Sequence, residues 1–194
     1  MFNVRALLPL LLVLSFNAFG FEIYALGTSN TNCKNAGQTY TKTLNELFKQ
    51  EGIDATVING GVDGDRPVWM MNRLTSNVNN NTKIVIFEPG PNDRNKTSNV
   101  EESEKILSYL KQHNMPTVFV SNSIIWSKEE ADQMAAKYNA YYYGHWAKNI
   151  PKDTTHRQFD IGSEGGHATS EGCKLWATYM FPLLKQVMKE QNIH

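Results

Sequence analysis

Acyl transfer from an ester needs a nucleophile, donors for the oxyanion, and a base with an acid to orient it. This chain carries residues of each type in a usable order. Ser29 lies in Gly27-Thr28-Ser29-Asn30, directly after the apolar run Phe21 to Leu26. A strand that stops at a glycine and passes into a helix can hold a serine hydroxyl clear of the sheet edge as a nucleophile. Taken alone, the same residues also read as an ordinary loop and helix cap. Two later turns offer oxyanion donors: the backbone N–H of Gly64, in Gly60-Gly61-Val62-Asp63-Gly64-Asp65, and the side-chain amide of Asn92, in Pro89-Gly90-Pro91-Asn92-Asp93. The N–H of Ser29 is a third. Near the C-terminus, Glu164-Gly165-Gly166-His167 sets a carboxylate three residues before an imidazole. The acid can turn back to hold one ring nitrogen while the other faces Ser29. Asp160 is an alternative acid, four residues earlier in the chain.

The elements that must position these residues follow from periodicity. Phe21 to Leu26, Asp54 to Asn59, Lys83 to Glu88 and Pro116 to Ser121 read as strands, with Tyr141 to Tyr143 as a short fifth. Between them lie helical patterns: Thr39 to Gln50, a helix opening at Pro67, Val100 to His113, Lys128 to Tyr138, and the closing Ser170 to Gln191. Pro182 is expected to kink that last helix or begin a new turn. Trp146 to Gly162 lacks periodicity and reads as a long loop. Alternating strands and helices imply repeated βαβ units and a parallel sheet covered on both faces, in which the loops after the strands build the site. Ser29, Gly64 and Asn92 all fall in such loops.

At this point the chain resembles the SGNH (GDSL-like) hydrolase family. The family reads Gly-Asp-Ser-Leu after its first strand, and this chain has Gly27-Thr28-Ser29-Asn30. The family's Asn-x-x-x-x-Gly-Asp is matched by Asn59 to Asp65, and its Gly-x-Asn-Asp by Gly90-Pro91-Asn92-Asp93. Its Asp-x-x-His is matched by Glu164 to His167, followed by Glu171-Gly172 at the closing helix. The resemblance implies a three-layer α/β/α sandwich of flavodoxin-like architecture, with a central parallel sheet of about five strands. It also implies a serine esterase that forms an acyl-enzyme and requires no metal or organic cofactor. The catalytic residues would be Ser29, His167 and Glu164, with Ser29, Gly64 and Asn92 forming the oxyanion hole. Thr28 stands where the family has Asp, so the hydrogen bonds bracing the nucleophile turn must differ. Glu164 in place of Asp lengthens the arm that orients His167.

Composition narrows the rest. Lys plus Arg and Asp plus Glu number 19 each in 194 residues, so no global field attracts nucleic acid or an anionic membrane. Met1 to Gly20 reads as a signal peptide: Arg5, then the apolar run Ala6 to Phe16, then Ala18-Phe19-Gly20. The mature domain would be residues 21–194, exported to the periplasm or secreted, with no stable membrane insertion. Cys33 and Cys173 are the two cysteines. If Ser29 meets His167, these lie close enough for a disulfide, which an oxidising compartment permits; two buried free thiols are the competing reading. Asn80 and Asn95 open Asn-x-Thr triplets. His113, His145, His156 and His194 have no partnered spacing and read as surface or loop; Asp93 reads as a turn brace.

The substrate class stays open among short acyl, acetyl-sugar, thioester and lysophospholipid esters. Trp69, Met70 and Met71 are candidates for an apolar groove wall; Trp126, Tyr141 to Tyr143 and Trp146 are candidates for sugar platforms. A catalytically idle envelope protein that binds acylated glycan is the rival from another class, because Thr28 would fit a decayed site.

Overall fold

In the computed structural model, residues 20–93, 95–161 and 166–194 are described. Apart from Gly20, the leader lies outside them, as do Arg94 and Glu164. Five strands, β1 (Phe21–Gly27), β2 (Ala55–Gly61), β3 (Thr82–Phe87), β4 (Thr117–Ser121) and β5 (Tyr141–His145), form one sheet in the order β2-β1-β3-β4-β5. Every pairing is parallel. Six helices are described: α1 (Ser29–Asn32), α2 (Thr39–Gln50), α3 (Pro67–Asn77), α4 (Lys96–Gln112), α5 (Lys128–Lys137) and α6 (Ser170–Glu190).

Successive strand residues point to opposite faces, and the two faces bury separate cores. Ile23 and Ala25 of β1, Ile84 and Ile86 of β3, and Val118 and Val120 of β4 pack with α2 and α6. Tyr24 and Leu26, Val85 and Phe87, and Phe119 turn the other way, toward α3, α4 and α5. The result is the expected α/β/α sandwich. Trp176 of α6 stacks on Tyr40 of α2 at 4.1 Å between ring centroids, and both are fully buried.

Differences from the sequence expectation have local causes. The short helix α1 carries no apolar period and is set by Thr28, whose hydroxyl accepts from the Asn30 N–H at 3.4 Å. Helix α4 begins at Lys96, before Val100, because the Asn95 side chain caps it by accepting from the Ser98 N–H at 3.1 Å. Helix α6 continues through Pro182 without a break.

The strand order reverses direction between β1 and β3, so the loops leaving their C-terminal ends diverge and open a crevice there. Ser29 follows β1 and Asn92 follows β3. Cys33 and Cys173 form a disulfide, joining the residue after α1 to the first turn of α6 across 140 residues of sequence.

Candidate active site

The turn that carries Ser29 is built from β1 outward. Gly27 ends the strand, Thr28 is extended, and Ser29 is the first residue of α1. Ser29 Oγ lies 2.8 Å from His167 Nε2. Both residues are mostly covered, at 8% and 7% exposure, yet both line the same cleft.

The other ring nitrogen, His167 Nδ1, is 2.6 Å from Asp160 Oδ2, and the His167 backbone N–H donates to Asp160 Oδ1 at 2.9 Å. Burial pushes the Asp160 carboxyl up, but the hydrogen bonds from the His167 backbone and ring outweigh it and hold the group below its ordinary value. Glu164, expected in this role, lies outside the described residues; the ring nitrogen it was expected to hold is bonded to Asp160. The approach depends on Gly166, whose φ is +52° and whose place a Cβ would contest with Asp160 Oδ1 at 2.1 Å.

The loop bearing the Asp160–His167 pair is tied to the Ser29 loop. Gln158 Nε2 donates to the Lys34 and Ala168 carbonyls, each at 2.6 Å, and Asn35 Nδ2 donates to Gln158 Oε1 at 3.2 Å. The Gln158 N–H donates to the His167 carbonyl at 2.8 Å. Position 158 thus links the strand-like segments around 157 and 168 to the exit of α1.

Gly64 and Asn92 line the cleft with Ser29 and His167. Gly64 has φ +76°. Asn92 Nδ2 donates one hydrogen to the Asp65 carbonyl at 2.9 Å, which fixes the amide plane and leaves a second hydrogen for another acceptor. The Gly64 turn is in turn braced by Arg73, whose guanidinium donates to the Asp65 carboxylate and to the Gly27 and Gly60 carbonyls. As a turn brace, Asp93 accepts from the Asn95 N–H at 3.2 Å and from Ser98 Oγ at 2.7 Å.

Thr28 is braced from another element. Glu88, the residue after β3, accepts from the Thr28 N–H at 2.9 Å, Thr28 Oγ1 at 2.7 Å, Thr31 Oγ1 at 3.2 Å and Asn30 Nδ2 at 3.4 Å. In the sequence it read only as a strand end. His145, expected at the surface or in a loop, is instead the last residue of β5. It lines the cleft and accepts from the Ala147 N–H at Nδ1. Burial, aided by Arg157, holds its ring below the ordinary value.

The cleft has a volume of about 1160 Å³. Of the proposed platforms only Trp146 lines it; Trp126 is in the core behind β4, and Tyr143 is in the core beside α6. The proposed groove wall is elsewhere: Met70 is fully buried, while Trp69 is 53% exposed beneath the Arg66 guanidinium.

No protein-family model matches the chain, and no curated protein does. Solved structures do. The psychrotrophic esterase EstA from a Pseudoalteromonas species matches with a TM-score of 0.72 and 16% identity, over 87% of this chain and 98% of that one. TesA matches with a TM-score of 0.72 and 14% identity, over 86% and 99%. AlinE4, an SGNH-hydrolase family esterase, matches with a TM-score of 0.57 and 20% identity, over 87% and 97%. At such identities the likeness is one of fold, and the fold is that of the SGNH hydrolases.

Proposed function

We propose that this chain is a serine hydrolase of SGNH type that cleaves carboxylic esters, with Ser29 as nucleophile, His167 as base and Asp160 as the acid that orients it. The observation that carries the reading is the continuous relay from Ser29 Oγ through His167 to Asp160, at 2.8 and 2.6 Å. Ser29 Oγ attacks the acyl carbon while its proton passes to His167 Nε2. The carbonyl electron pair moves to oxygen, which takes hydrogen bonds from the N–H groups of Ser29 and Gly64 and the Asn92 amide. The intermediate then expels the alcohol, which takes the proton from His167. Water attacks the acyl-enzyme by the same proton route, releasing the acid and restoring Ser29. Asp160 holds the imidazole tautomer and stabilises the imidazolium without taking the proton.

The cleft walls mix polar and apolar groups, which suits a polar alcohol carrying a short acyl group. Asn30, Asn95, Asn122 and Ser123 contribute amides and a hydroxyl beside the apolar Pro91, Ile124, Trp146 and Ile161, while Trp69 and Met70 are not in the lining. The Cys33–Cys173 disulfide and the leader-like N-terminus support an exported protein. The idle-binder rival drew on Thr28 as a mark of decay; with Glu88 bracing the turn, that mark loses its meaning. A panel of p-nitrophenyl esters from acetate to palmitate tests the function. Turnover should be highest for the shortest acyl groups and absent in Ser29→Ala. A wild-type chain inert toward the whole panel, or an equally active Ser29→Ala, would contradict the reading.

A further inference from the structure

Glu88 is only 1% exposed, and among the described residues every hydrogen bond its carboxylate accepts comes from residues 28 to 31 of the nucleophile turn. Its own backbone N–H donates to the Leu26 carbonyl at 2.9 Å, so β1 and β3 are joined just where the turn begins. The packing there is close. A Cβ at Gly27 would meet Thr31 Oγ1 at 2.0 Å and Glu88 Oε2 at 3.0 Å, and one at Gly90 would meet Thr28 Cγ2 at 2.2 Å.

Resting on the esterase reading above, we propose that Glu88 is a positioning residue for Ser29: its carboxylate acts through Thr28 and Thr31 to hold the nucleophile at its attack distance from His167. Ser29 lies between the anchored residues, so its Cα has little freedom while those bonds stand. Glu88 also starts the segment that ends at Asn92, so one strand end registers the nucleophile and the oxyanion amide against each other. A carboxylate is the acceptor that suits this place. Its two oxygens accept from several donors at once. Burial outweighs the hydrogen bonds from Thr28, Asn30 and Thr31 and leaves the Glu88 carboxyl above its ordinary value. A group kept there despite that opposition fits a positioning task better than a packing one.

The test compares Glu88→Ala, Glu88→Gln and the double variant Thr28→Val, Thr31→Val, all assayed well below their melting temperatures with p-nitrophenyl acetate and a fluorophosphonate probe. Glu88→Ala should lower kcat by ~100-fold, the scale of an ångström-sized misplacement near the chemistry, with KM within about twofold. Fluorophosphonate labelling of Ser29 should slow in parallel. Glu88→Gln, which keeps an acceptor for the Thr28 N–H, should recover kcat to within about fivefold of wild type. If Glu88→Ala does not fold, the double variant carries the test: it removes two donors at nearly constant volume and should lower kcat by ~10-fold with KM unchanged. A folded Glu88→Ala, or the double variant, with kcat within about threefold of an active wild type overturns this inference alone. A wild-type chain that neither labels nor hydrolyses overturns the esterase reading and this inference with it.

Discussion

At the scale of single residues, Asn92 and Asp160 carry the clearest expectations. Asn92→Ala removes the proposed oxyanion donor, an amide already oriented by the Asp65 carbonyl, and should lower kcat by ~10²–10³ with little change in KM. Steady-state kinetics on p-nitrophenyl acetate check it, and a raised KM with normal kcat would assign Asn92 to substrate binding instead. Asp160→Asn should lower kcat by up to ~10⁴, since the amide can present the wrong partner to His167 Nδ1; Glu164→Gln should change it little. Asp160 also links stability to pH. Its folded carboxyl titrates below its ordinary value, so its stabilising contribution is fully present above the ordinary carboxylate range and is lost as pH falls through the depressed value. Melting curves of wild type and Asp160→Asn should differ at neutral pH and converge in acid. Ser29 and His167 were legible because each sits in a motif of fixed spacing. Asp160 was less so, because its approach depends on a chain reversal through Gly166 at φ +52° that no spacing rule encodes. Glu88 was hidden for a similar reason: its partners lie about sixty residues earlier, on a neighbouring strand's exit.

Among the elements, the exit of α1 is joined to the first turn of α6, so one bridge ties the segments that follow Ser29 and His167. Cys33 is the αL residue that ends α1, and Cys173 follows His167 by six positions in α6. A bridge closing so long a loop restricts the unfolded chain, worth ~4–5 kcal/mol in the chain-entropy account. For a domain of this size that corresponds to a melting temperature lower by roughly 10 °C or more after reduction. Calorimetry with and without a reductant measures it; equal melting temperatures would show that the bridge does not constrain the fold. The strands and long helices were readable from their apolar periods, since each buries a face. Helix α1 and the start of α4 were not. Both are set by side-chain caps, Thr28 and Asn95, on polar stretches without a period.

For the whole molecule, the alternation of strands and helices sufficed to foresee a parallel sheet covered on both faces. The strand order, with its reversal between β1 and β3, is a matter of long-range pairing and emerges only in three dimensions. That reversal brings Ser29, Asn92 and the loop after β5 to one crevice. The mapping of aromatic residues to the cleft failed for the same reason: Trp126 and Tyr143 face the two core layers, not the crevice. With equal numbers of acidic and basic residues, hydrolysis of neutral esters should depend little on ionic strength. A central test remains in the chemistry of one hydroxyl. Intact-mass spectrometry after treatment with a fluorophosphonate, followed by peptide mapping, asks whether the Ser29–His167–Asp160 relay produces an activated serine. The account predicts one adduct per chain, located on Ser29 and lost in His167→Ala. An unmodified wild-type chain, or an adduct on a different serine, would contradict it.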